Sequence, residues 1–175
     1  MGAAAEGCRG VRPIVSDTGP LLHLHEAMCL DLLQHAGTIA VPQAVDSEMV
    51  QHVREWPARK PPWITVTTVM APYDAQATGW QQGGLLEAGE AEAIALARQL
   101  SATWLLTDDT AARVFATALG FEVHGSLGIV LWAAARRHLS RAEAAAALDR
   151  LAHSSLWISA RVLAEARAAL DRLFP

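Results

Sequence analysis

The sequence holds a single lysine, Lys60, and only two cysteines, Cys8 and Cys29, which do not form a CxxC pair. Two separated thiols exclude a disulfide framework and a cysteine-rich metal site. The missing lysines accompany an excess of alanine, leucine and arginine and are read as a coding preference without functional content. Net basic charge is lacking too: fourteen basic against eighteen acidic residues give −4. A protein that coats nucleic acid by general attraction is usually basic, so any activity on nucleic acid must come from a local site. No apolar run approaches the roughly 18 residues needed to cross a bilayer. The opening MGAAAEGCRG carries Glu6 and Arg9 with no long apolar stretch behind it, unlike a secretory signal. A cytoplasmic protein with no membrane partner is expected.

What is present is a globular composition, 52% hydrophobic and 18% charged over 175 residues, enough for one real core. There is no repeat, low-complexity segment or Gly/Ser linker, so residues 1–175 are expected to form one domain, with a core over about 12–137 and a helical extension over about 138–175. Short apolar strands (PIVSD, TIAVP, ITVTTV, TWLLTDD, FEVHG) alternate with segments of helical periodicity (LLHLHEAMCLDLLQHA, PQAVDSEMVQHVRE, residues 89–100, TAARVFATALG, SLGIVLWAAARRHL). Pro42 suits the first turn of its helix, and Gly120 closes another. WPARKPPW reads as an irregular, exposed connection. Two helices near 140–152 and 159–173 follow. The alternation predicts an α/β domain: a mainly parallel sheet covered on both faces.

The first strand ends on Asp17, followed by Thr-Gly-Pro. An aspartic protease also presents an Asp-Thr-Gly, but those enzymes are β-rich and pair two such loops, whereas this chain has one and is rich in helix. A phosphatase of the haloacid dehalogenase type needs a second aspartate two residues on, where this chain has Gly19.

In open α/β sheets, ligands bind beyond the carboxyl ends of the strands. Asp17 ends one strand there, and Asp108 and Asp109 end another; Thr18 and Thr107 would add hydroxyls to the same edge. Glu90 stands in the first turn of its helix, in line with the apolar Ile94 and Ala97, and Glu48 lies between Val45 and Met49 on the helix after the second strand. Each acid has a structural alternative. Asp108 or Asp109 would cap the following helix, Asp17 would form an Asx-turn, Glu90 would favour the helix dipole, and Glu48 would be solvated. Together, however, the acids recur at one sheet edge. Such a cluster repels itself unless divalent cations relieve it, and hard oxygen ligands suit Mg²⁺ or Mn²⁺. Metal-dependent phosphoryl-transfer hydrolysis is the chemistry this pattern favours.

In order, IVSDTGPLLHL, VPQAVDSEM, LEAGEAEAIALA, LLTDDTAARVFATALGFEV and GSLGIVLWAAARR resemble the PIN-domain nucleases, in particular the branch close to the VapC-type toxins. The likeness covers about 14–137, and ISARVLAEA in the tail is similar as well. It implies a three-layer α/β/α fold and a Mg²⁺- or Mn²⁺-dependent ribonuclease acting on RNA, inhibited by a protein antitoxin. Asp17, Glu90 and Asp109, with Asp108 beside them, would bind metal, and Glu48 would bind a second ion or orient the attacking water. Glu92 competes with Glu90, but its line through Leu96 and Gln99 reads as less buried. Gly19 stands where many relatives carry serine.

The seven histidines form no ligand pattern; His23 and His25 cannot share one helix face. Trp104 and Trp132 read as core. Trp56, Trp63 and Trp80 read as packing residues, with base stacking as the alternative. Arg54, Arg59 and Lys60 form the densest basic stretch and are candidate phosphate contacts, as are Arg136 and Arg137. Apolar stripes in IVLWAAA and AEAAAALDRLA exceed what one small sheet needs, so a homodimer is expected. A PIN-type nuclease without an antitoxin, acting in RNA processing or on DNA, and a non-catalytic scaffold are the competing functions.

Overall fold

A computed structural model describes residues 13–175; the opening segment and Cys8 lie outside the described residues. Strand β1 (Pro13–Ser16) is apolar on both faces because both are covered. Ile14 faces one hydrophobic cluster and Val15 the other. The same period-two split recurs in β2 (Thr38–Val41), where Ile39 and Val41 face one side and Ala40 the other. β3 (Ile64–Val66), β4 (Trp104–Leu106) and β5 (Glu122–His124) complete an all-parallel sheet in the order β3-β2-β1-β4-β5. The expected parallel α/β architecture is present.

One face carries α1 (Thr18–Glu26), a 3-10 turn (Leu30–His35), α2 (Gln43–His52) and α3 (Trp56–Arg59). It also carries α7 (Ser126–Ala135), α8 (Arg141–Ala152) and α9 (Ala160–Leu173). Leu21, Leu24, Leu33, Met49, Ile129 and Leu148 are fully buried there. The other face carries α4 (Tyr73–Gln82), α5 (Ala88–Gln99) and α6 (Thr110–Ala118), with Ile94, Leu96 and Leu105 at its centre. Each such aliphatic side chain contributes roughly 1.5–3 kcal/mol by leaving water. Among the described residues no helix is long and apolar enough to cross a membrane.

Several expectations change in detail. The stripes expected at a subunit interface are covered within the chain: Ile129, Val130, Ala133 and Ala134 of α7 share a core with Ala144, Ala147, Leu148 and Leu151 of α8. Helices α8 and α9 pack into the same cluster, so the homodimer expectation loses this basis. The connection read as exposed contains α3, and Trp56 is buried with its indole N–H donating to Asp46 at 2.9 Å. Trp63 and Trp80 are half-buried and packed against the two cores. Pro42 occupies the N-cap of α2 rather than its first turn. Gly120, at φ +88°, does end α6, in the left-handed region that glycine tolerates best.

Candidate acidic site at the strand switch point

Strand order reverses at β1, with β2 and β3 on one side and β4 and β5 on the other. The crevice between β1 and β4 is therefore the switch point of the sheet. Ser16 pairs in register with Leu106, and the Asp17 amide donates to the Leu106 carbonyl at 3.0 Å. The next residues of the two chains, Asp17 and Thr107, thus emerge side by side. A cleft of about 1030 Å³ opens there, lined by Asp17, Thr18, Glu48, Glu90, Asp108 and Asp109. All five acids read from the sequence as site candidates line one cavity.

Each acid is also held locally. Asp17 caps α1, its Oδ1 accepting from the Gly19 amide at 3.0 Å, so the Asx-type alternative and the site position coexist. Asp109 is the N-cap of α6, accepting from the Ala112 amide at 2.8 Å; its own amide donates to the Thr107 hydroxyl at 3.2 Å. Glu90 closes a capping box by accepting from the Glu87 amide at 2.9 Å. Glu48 reaches across from α2: the Gly89 amide donates to it at 3.1 Å and the Thr18 hydroxyl donates to its other oxygen. Only glycine permits this approach, since a Cβ at position 89 would stand 2.6 Å and 2.8 Å from the two carboxylate oxygens of Glu48.

Asp108 differs from its neighbour. The Ser126 amide and hydroxyl donate to it at 2.7 Å and 2.5 Å, and His23 Nδ1 lies 2.7 Å from its Oδ2. A Cβ on Gly125 would come within 2.6 Å of Oδ1, so glycine is required at the start of α7 as well. Burial alone would raise the Asp108 carboxyl, but the bonds from His23 and Ser126 overcome it and hold the group below its usual range. Asp17 goes the other way. Burial pushes it well above the ordinary carboxylate range, and the charges of Asp108 and Glu90 add to that, against hydrogen bonds from Thr107 and Gly19. Glu90 is raised too, first by burial and then by the charges of Asp109, Glu87 and Glu48, with the Glu87 amide opposing.

Among the described residues no lysine or arginine forms an ion pair with Asp17, Glu48, Glu90 or Asp109. This donor set is all oxygen, mutually repelling and uncompensated, the chemistry that suits Mg²⁺ or Mn²⁺. As the side chains lie, no three His, Cys, Asp or Glu groups among the described residues converge on one point. Asp17, Glu90 and Asp109 each spend one oxygen on a helix-terminal amide, which leaves the second oxygen of each free of that bond.

The basic stretch is elsewhere. Arg54, Arg59 and Lys60 do not line the cleft; Arg59 pairs with Glu55 at 3.0 Å and Lys60 with Asp46 at 2.9 Å. Arg137 donates to the Leu173 carbonyl and sits 4.2 Å over the Phe174 ring. The arginine in the cleft is Arg113, one turn into α6, with Nη2 donating to the Thr107 carbonyl at 2.9 Å. Its spacing of four from Asp109 was the available sequence signal. His23, which shows no ligand spacing in the sequence, lines the same cavity. Glu92 does not; it accepts from the Ala44 amide at 3.1 Å, and of the line read as less buried, Leu96 is fully buried and Gln99 half-buried. At position 19 a Cβ would meet Asp17, Asp108 and His23 at 3.5–3.6 Å, ordinary contact, so the backbone approach does not itself require glycine there.

A family model described as a PIN domain matches residues 13–172. No curated protein matches the chain.

Proposed function

The chain belongs to the PIN-domain family, a nuclease fold, and from that premise we propose that it is a Mg²⁺- or Mn²⁺-dependent endoribonuclease, the toxin of a VapC-like toxin–antitoxin pair. The observation that carries this reading is the set of four acids, Asp17, Glu48, Glu90 and Asp109, lining the switch-point cleft without a cationic partner among the described residues.

In this reading Asp17, Glu90 and Asp109 hold the divalent ion. When bound, it supplies charge neutralisation at the phosphoryl group and water activation at neutral pH. Glu48, fixed by Gly89 and Thr18 at the cleft wall, orients the attacking water and accepts its proton. Asp108, already saturated by His23 and Ser126, positions the β4 end and adds negative field. Thr107 braces Asp17 and the Asp109 amide, and Arg113 contacts a phosphate oxygen. Arg54 and Arg59 are exposed and would serve only a longer substrate reaching beyond the cleft.

A protein of net charge −4 does not gather RNA by general attraction, so binding depends on bridged phosphates and local groups. An antitoxin would block the same acids by placing a basic side chain among them. Exposed Met70, Leu85 and Val114 remain as apolar surface for a homodimer. The test is induced expression of wild type and an Asp17→Ala, Asp109→Ala double variant, followed by assay of both proteins on RNA and DNA with Mg²⁺, Mn²⁺ or chelator. The wild type is expected to arrest growth and cleave RNA, and the double variant to do neither. Equal inertness of the two would favour a scaffold, and cleavage of DNA alone would remove the toxin reading.

A further inference from the structure

The tryptophan that the sequence leaves unassigned is the one the cleft exposes. Trp157 is 86% exposed, whereas Trp56 is buried and Trp63, Trp80, Trp104 and Trp132 pack against the two cores. It lines the same cavity as the acids, in the segment between α8 and α9. That segment is anchored on both sides. The Ser155 amide and hydroxyl donate to Glu26 at 2.7 Å and 2.8 Å, Ser159 caps α9, and the flanking Leu156 and Ile158 pack against the core. The chain therefore holds an indole out at the cleft with its neighbours turned in. A second, smaller cleft of about 430 Å³ shares Glu87, Glu90 and Asp109 with the first. The two clefts thus meet at those residues.

Building on the nuclease reading above, we propose that Trp157 is a stacking platform that holds one unpaired base of the bound strand beside the cleavage site. An aromatic face binds every base without needing charge, and so suits a protein too acidic to hold RNA by its backbone alone. Bases within a duplex are already stacked and present no free face, so the platform discriminates against paired RNA. Val162 and Leu127, from α9 and α7, add apolar contact along the same cavity.

The experiment uses the full chain and its Trp157→Ala, Trp157→Phe and Trp157→Leu variants. Binding of a fluorescein-labelled single-stranded oligoribonucleotide and of its duplex is followed by anisotropy with Ca²⁺, and cleavage kinetics are measured with Mn²⁺. Loss of one base–aromatic stack is expected to weaken single-strand binding about 5- to 150-fold. KM should rise in parallel with kcat nearly unchanged, Trp157→Phe should retain most of the affinity, Trp157→Leu should not, and duplex binding should be indifferent. Unchanged binding in Trp157→Ala, or no binding by the wild type, overturns the proposal, as does light scattering in which Trp157→Ala dissolves a dimer while RNA binding stays constant. The two readings fail separately. A strand bound through Trp157 but never cut sinks the nuclease and leaves the platform, whereas equal cutting by wild type and Trp157→Ala does the reverse.

Discussion

Replacing Gly89 by alanine sets two opposing effects against each other, and the structure decides between them. In a helix interior alanine is favoured over glycine by about 1 kcal/mol. Gly89 sits in the first turn of α5, and an added Cβ would overlap both Glu48 oxygens at 2.6 Å and 2.8 Å. Glu48 is the far end of a flexible side chain, so it swings away at small steric cost and gives up its bond from the Gly89 amide. A hydrogen bond to a charged group contributes about 1.5–3 kcal/mol. Subtracting the propensity gain leaves Gly89→Ala destabilising by about 0.5–2 kcal/mol. Gly79 is the internal control: it lies inside α4 and a Cβ there meets nothing within 4 Å, so Gly79→Ala should stabilise by about 0.5–1 kcal/mol. For a chain of this size each kcal/mol moves Tm by roughly 2–4 °C, resolvable by calorimetry. Gly89→Ala should also cost cleavage activity, because the displaced carboxylate is the proposed water-orienting group. If Gly89→Ala proves as stabilising as Gly79→Ala, or leaves activity untouched, the account of Glu48 is wrong.

Asp17→Asn should stabilise the metal-free chain at neutral pH while abolishing cleavage. The folded carboxyl ionises above the range of the unfolded one, so between those values the folded chain binds more protons, stability falls as pH rises, and the cost is complete above the folded value. Removing the charge should return roughly 0.5–2 kcal/mol, a common gain when site strain is relieved; denaturant midpoints that fall for Asp17→Asn above the carboxylate range would contradict this. Asp46→Ala leaves the buried Trp56 indole N–H and the Lys60 ammonium unpaired, and should cost about 1–3 kcal/mol with cleavage per folded molecule unchanged.

The central strands β1, β2 and β4 were legible in the sequence because strands buried on both faces are nearly unbroken apolar runs, and Asp17, Asp108 and Asp109 were legible because they follow two of those runs. Helix α4 was not: YDAQATGWQQ carries a central glycine and buries only Ala77, so it has almost no apolar stripe to read. Asp108 and Asp109 look equivalent in TDD. What separates them is a histidine 85 residues away and a serine 18 residues away, contacts that exist only once α1 and α7 meet β4. Lys60 looked free in a basic stretch because its partner Asp46 belongs to another helix. Arg113 and Trp157 likewise gain meaning from the cavity they reach, which local periodicity does not describe.

The most direct measurement is a calorimetric titration of Mn²⁺ into the purified wild type and into Asp17→Asn. The account predicts binding to the wild type, because the mutually repelling carboxylates of Asp17, Glu48, Glu90 and Asp109 lack a cationic partner among the described residues, and a large loss of affinity in Asp17→Asn. Equal Mn²⁺ affinity for the two proteins, or none for the wild type, would contradict the claim that these acids form a metal-dependent nuclease site.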